Sequence, residues 1–173
     1  MATLREVDEV RRRTRAAVHP AWFPLVLFGL LGLAATPFGF LGDGWGLGLF
    51  WLVAWPAGAY ATRRHYHDRA LGLGVCVEGG IYTVLGVAFF VAAWVVGATT
   101  RSAVGPMLVV AAAYLAFARL ERSWPVAGVS IALGAAVAAV AARHTAHPDA
   151  VLTLAFGLAF TTTGLVLRHG DRG

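Results

Sequence analysis

Long uncharged stretches, each closed by a short polar break, set the pattern of this chain. No Asp, Glu or Arg occurs from Pro20 to Gly42, Gly44 to Thr62, Gly79 to Thr100, Ser102 to Ala118, Ser123 to Ala142, or Ala150 to Leu167. Crossing about 30 Å of hydrocarbon takes about 20 helical residues, with a usable range of about 17 to 25, and every stretch falls inside it. The pattern predicts an all-α fold, a six-transmembrane-helix up-and-down bundle over residues 20–168. Its spans lie near 21–41, 45–62, 75–97, 103–119, 124–142 and 150–167, and a tail follows at 169–173. Breaks this short join only antiparallel neighbours.

Residues 1–19 follow a different rule. Thr3-Leu4-Arg5-Glu6 reads as a capping box. Leu4, Val7, Val10, Thr14, Ala17 and Val18 then recur at helical spacing as a narrow apolar stripe. Asp8 with Arg12 and Glu9 with Arg13 form i,i+4 pairs of the favourable polarity. The expectation is a short amphipathic cytoplasmic helix lying on the membrane surface. No small-residue cleavage site precedes the first stretch, so no cleavable leader is expected.

Charge adds orientation to this picture. The N-terminal arm, second break, fourth break and tail hold twelve arginines, whereas the first, third and fifth breaks hold only Arg101 and Arg143. Positive-inside bias puts both termini in the cytoplasm, which requires an even number of spans. Composition agrees: 58% of residues are hydrophobic and 13% charged, against about 25% charged in an ordinary soluble domain. The net charge of +5 sits in the breaks, where it meets anionic headgroups, so membrane lipids and not nucleic acid are the expected partners. The chain lacks Lys, Asn and Gln and is rich in Ala, Gly and Val, a bias that fits a GC-rich bacterial genome and hence a bacterial cytoplasmic membrane. Cys76 stands alone, which excludes an internal disulfide and a CxxC metal site.

The candidate intramembrane polar site is Glu78, with Tyr82 one turn further on and Pro56 in span two. Glu78 falls about one turn into span three, and an acid costs about 2.5–3.5 kcal/mol at the bilayer centre and less near its edge. It is either a proton- or cation-handling carboxylate or the partner of Arg69, Arg119 or Arg122 at the cytoplasmic edge. Pro56 removes the backbone bond to the Leu52 carbonyl. The resulting kink either lines a substrate site or is simply tolerated. Trp51 and Trp55 beside it are placed to line an apolar cavity or to face lipid.

Arg11, Arg12, Arg13, Arg63, Arg64 and Arg69 are expected to contact lipid headgroups or a cytoplasmic partner. His65, His67 and Asp68 invite a metal. Histidines at i,i+2 do not share a helix face, however, and the adjacent arginines repel a divalent ion, so no metal is expected. His144 and His147 stand three apart, yet Pro148-Asp149 reads better as the first turn of span six. No P-loop, HExxH or GxSxG run is present, so no catalytic residue and no cofactor is expected.

Lipid tails are as apolar as Leu, so membrane helices associate through close packing of small residues. Ser130, Gly134 and Ala138 form one such ridge on span five, Gly128 opens a second beside it, and Gly157 and Thr161 repeat the spacing on span six. These faces serve internal packing or a homo-oligomer.

The run Val10-Arg11-Arg12-Arg13-Thr14-Arg15, then Ala21-Trp22-Phe23-Pro24-Leu25-Val26-Leu27-Phe28-Gly29, resembles the opening of small polytopic membrane proteins of actinobacteria. Arg63-Arg64-His65-Tyr66 is similar to their second break. The resemblance covers about the first third of the chain and implies a membrane location, with no activity or site residues to carry over. The expected function is that of a non-catalytic membrane component that packs with itself or with a membrane or cytoplasmic partner. The alternatives are a small transporter, dimeric or not, using Glu78 and the Pro56-kinked helix, and then a lipid-modifying enzyme using His65, His67 and Asp68.

Overall fold

The computed structural model describes residues 21–41, 44–74, 80–121, 123–143 and 145–170, with backbone alone at 80–82 and 121. The N-terminal arm with Arg11, Arg12 and Arg13, the acid Glu78 and the Tyr82 side chain lie outside the described residues. What is described is all-helical, with no strands: α1 (Trp22–Gly39), α2 (Trp45–Gly72), α3 (Gly80–Thr100), α4 (Val104–Glu121), α5 (Trp124–Arg143) and α6 (Pro148–Gly170).

Local chemistry sets the helix ends. Gly44 precedes α2 at φ 68°, and a Cβ there would stand 3.3 Å from the Arg101 carbonyl oxygen, so glycine answers both the backbone angle and the space. Ser102 Oγ accepts from the Val104 amide at 3.3 Å, and Asp149 Oδ1 accepts from the Ala103 amide at 2.8 Å. The start of α4 is thus capped partly by a residue of α6. α6 itself opens on Pro148, with Asp149 in its first turn where the helix dipole favours an acid. At the end of α2, Gly74 takes φ 67° and its amide donates to the Leu71 carbonyl at 3.1 Å.

Four helices are long and apolar enough to cross a membrane: α1, the Thr83–Thr100 part of α3, α5 and α6. α4 is apolar over the slightly shorter Val104–Leu120. α2 mixes Trp45, Trp51, Trp55, Pro56 and Tyr60 into its apolar part, and interfacial rings and proline lower its hydropathy. The polar segment after residue 62, expected as a break, continues α2 to Gly72. Its ten residues project about 15 Å beyond the apolar part.

The first and last helices, α1 and α6, run in opposite directions. Trp22 at the start of α1 lies 5.1 Å beneath the Arg168 guanidinium near the end of α6, while Phe40 beyond the other end of α1 meets His147 at 5.3 Å. We call these the Trp22 end and the Asp149 end. Contacts follow chain order around a ring, α1–α2 and then α3–α4–α5–α6, closed by α6 against α1. The closing contact is the most extensive, and α2 against α3 is among the weakest. The core lies among α1, α4, α5 and α6, where Leu25, Leu133, Val137, Leu152, Phe156 and Phe160 are almost fully buried. In contrast, no residue of Thr83–Thr100 is buried.

Glycine explains why α1 and α6 approach so closely. A Cβ at Gly32 would stand 2.5 Å from the Phe156 ring, and one at Gly157 would stand 2.7 Å from the Leu33 amide nitrogen. Gly39 meets Ala150, Gly164 meets Val26, and Gly29 meets Thr161 in the same way. Gly32 and Gly39 are seven residues apart, as are Gly157 and Gly164, a spacing that keeps each pair on one face of its helix. Thr161 Oγ1 is buried in this seam without a hydrogen-bond partner.

Candidate functional site

The weak α2–α3 contact leaves a cleft. Behind it is a cavity of about 1140 Å³, partly open to the surroundings and lined mostly by carbon. α2 supplies Trp51 and Trp55 and α3 supplies Phe89 and Phe90, while Phe28, Val110, Tyr114 and Phe156 form the wall opposite. Trp55 stacks on Phe90 with ring centroids 4.4 Å apart and planes 19° from parallel. Gly86 lies beside Trp55, where an added Cβ would meet the indole at 3.8 Å. This stack is a strap across the middle of the cleft.

The two mouths of the cavity differ in charge. At the Trp22 end it is lined by Tyr60, Thr62, Arg63, Tyr66, His67 and Ser123. Arg63 is exposed and makes no ion pair with a described residue, whereas its neighbour Arg64 reaches Asp68 at 3.9 Å. That surface pair contributes little, but it separates the roles of the two arginines. Thr62 Oγ1 is shielded from solvent and has no hydrogen-bond partner. At the Asp149 end the lining comprises Gly44, Arg101, Ser102 and Asp149. There the carboxylate is already engaged with the Ala103 amide and, at 3.4 Å, with the Ser102 hydroxyl. Arg101 sits in the α3–α4 connection at φ 52°, the one described non-glycine residue in the left-handed region.

His65 belongs to a separate cluster. Its ring stacks on Phe23 with centroids 3.9 Å apart, Trp22 meets it edge-on at 5.9 Å, and its Nε2 is buried without a partner. Burial pushes its pKa below the ordinary 6.5, Arg69 adds to the shift and Asp68 opposes it. His67 points instead to the cavity mouth. The i,i+2 spacing thus sends the two rings to different surroundings. Among the described residues, no group of three His, Cys, Asp or Glu side chains is placed to hold a metal ion.

The other sequence candidates are dispersed. Pro56 is exposed, does not line the cavity, and leaves α2 continuous around it. Arg69 is exposed near the end of α2. On α5 the buried face is Val126, Val129, Ser130, Leu133, Val137 and Val140. Ser130 lies within it, its hydroxyl donating to the Val126 carbonyl at 2.7 Å. Gly128 and Ala138 are exposed, and added Cβ atoms at Gly128 and Gly134 would meet nothing within 4 Å. Of the small residues of α5, Ser130 is thus buried among branched side chains, whereas Gly128 and Ala138 face outward. On α6, Gly157 and Thr161 lie in the seam with α1. The glycines of α1 and the aromatic lining of α3 and α4 drew no attention in the sequence. The signal available was the shared seven-residue glycine spacing in the first and last helices.

Comparison with protein-family models, with curated proteins and with solved structures gives no match.

Proposed function

We propose that this chain is a six-span integral membrane protein of a bacterial cytoplasmic membrane, with both termini in the cytoplasm. In this reading it is a non-catalytic membrane component that offers an apolar cleft to another membrane molecule. The single observation that carries the reading is the cavity of about 1140 Å³ behind the loosely joined α2 and α3, carbon-lined and backed by a glycine-sealed core. In water such a surface would collapse or aggregate, whereas in a bilayer it is compatible with its surroundings. The membrane placement of α2 and α4 rests on their alignment beside the four long apolar helices and on arginines gathered at the Trp22 end. The amphipathic arm at residues 1–19, with Arg11, Arg12 and Arg13, is part of this proposal as an anchor to anionic headgroups.

Transport of an amphiphile is a second reading, favoured by lining residues that reach both ends of the bundle. The pair tested for it is Glu78 and the α2 helix around Pro56. Glu78→Gln in cells overproducing the protein abolishes uptake or efflux if transport is the function and leaves it unchanged if the cleft only binds. The primary reading is tested by fractionation and topology. The chain is expected in the membrane after alkaline carbonate washing and in solution only with detergent. Release by carbonate alone would sink it.

A further inference from the structure

We propose that the cleft holds one phospholipid with an anionic headgroup, its acyl chain along Trp51, Trp55, Phe90 and Val110 and its phosphate at Arg63 and Thr62. This rests on the membrane placement proposed above and names the molecule that the cleft takes. Three observations select it.

Size comes first. Pockets of about 300–1,000 Å³ enclose a drug-sized molecule, so a cleft of about 1140 Å³ has room for one or two flexible hydrocarbon chains.

Charge complementarity comes next, because the two mouths are not equivalent. The Trp22 end presents the guanidinium of Arg63, which has no carboxylate partner among the described residues, and no described carboxylate lines that mouth. The Asp149 end presents Arg101 together with the Asp149 carboxylate. A phosphate diester meets a guanidinium with no carboxylate at the first mouth, whereas at the second a carboxylate shares the mouth with the guanidinium. A guanidinium fork matches phosphate oxygens in pairs.

The third observation is the shielded Thr62 hydroxyl, which lacks a partner and lines the cavity one residue from Arg63. A buried hydroxyl without a hydrogen bond is costly, and a phosphate oxygen held by Arg63 would accept from it. The headgroup then sits at the arginine-rich end and the chain extends along the apolar wall past the Trp55–Phe90 strap, as a bilayer lipid stands in its own leaflet.

The test uses the full chain in non-denaturing detergent, stripped of lipid and mixed with phosphatidylglycerol or phosphatidylcholine, each observed by native mass spectrometry. One phosphatidylglycerol is expected to survive collisional activation on the wild-type chain. Arg63→Ala should retain it about tenfold less, the effect of losing one charged hydrogen bond. Arg143→Ala at the opposite end should match the wild type. Gly86→Trp closes the strap, and Gly48→Phe fills a second open lining position; either variant that elutes monodisperse should lose the adduct. Inorganic phosphate should not compete, since it brings no chain to the cleft. Equal retention by wild type, Arg63→Ala and the plugged variants would mark the lipid as non-specific and overturn the proposal. So would a second protein chain that is displaced from the cleft by the plugs. A chain that needs detergent yet shows no selective adduct loses the lipid and keeps its membrane placement, whereas a chain soluble without detergent loses both.

Discussion

Gly157 matters because its neighbour is backbone, which cannot rotate away. An added Cβ would lie 2.7 Å from the Leu33 amide nitrogen, so any larger residue must push α1 off α6. Gly157→Leu is expected to cost about 1–3 kcal/mol, the usual penalty for extra methylenes in a packed contact. A lower unfolding midpoint in detergent checks it. Gly134→Leu, at a position open to 4 Å, should leave that midpoint unchanged; a loss of dimer without a loss of stability would show that α5 pairs with a second copy. His65 offers a second residue-scale prediction. It lies beyond the apolar part of α2, and burial lowers its pKa from 6.5. A histidine harder to protonate when folded than when unfolded contributes stability that is present above 6.5 and lost as pH falls through the lowered value. The midpoint should therefore drop as pH falls from about 7.5 to about 5. His65→Phe keeps the stack on Phe23 and should flatten that slope, and an identical slope in both proteins would exclude His65 as its source.

Between helices, Asp149 ties two N-termini together. It occupies the first turn of α6 and accepts from the Ala103 amide ahead of α4 at 2.8 Å. Asp149→Ala removes both interactions and is expected to cost about 1 kcal/mol, in the range of a lost helix cap. Asp149→Asn should recover much of the cap but not the dipole contribution, and thermal unfolding of the two variants separates these parts. The sequence already showed Pro148-Asp149 as the first turn of a helix, because proline and an acid at those positions satisfy a helix start locally. It could not show the reach to Ala103, which depends on α4 and α6 beginning side by side. The same division runs through the other elements. α1, α4, α5 and α6 end within a few residues of the breaks read from charge, since charge and hydrophobicity are local properties. α2 overruns its break to Gly72. Arg63 to Arg69 contain no helix breaker, and a solvated polar segment can remain helical outside a bilayer. On α5 the small residues suggested a contact face, and the buried one combines Ser130 with Val126, Val129, Leu133 and Val137, while Gly128 and Ala138 lie outside it. Small residues permit close approach without requiring it, and only the position of the neighbouring helix decides.

Across the whole molecule, one feature was beyond a one-dimensional reading: the cleft that opens because the ring is tight where α6 closes on α1 and loose between α2 and α3. The cleft is defined by what fails to touch, and Trp51, Val110 and Phe156 come to line one cavity only when helices far apart in sequence are assembled. Orientation, in contrast, is proposed from counting arginines. Arg63, Arg64, Arg69, Arg119 and Arg168 belong to helix segments at the Trp22 end, whereas Arg101 and Arg143 belong to the Asp149 end. If the Trp22 end faces the cytoplasm, alkaline phosphatase fused after Gly74 or after Gly170 should be inactive, and phosphatase fused after Ala146 should be active. Replacing Arg101 and Arg143 with Ser should leave that pattern intact, because it removes only charges that oppose the bias. Replacing Arg63, Arg64 and Arg69 with Ser should yield a mixed population, since these residues flank the junction between α2 and α3. The lipid proposal depends on the same sign. A phosphatase signal after Gly74 would turn Arg63 to the outer leaflet, and the anionic headgroup would then have to come from that side.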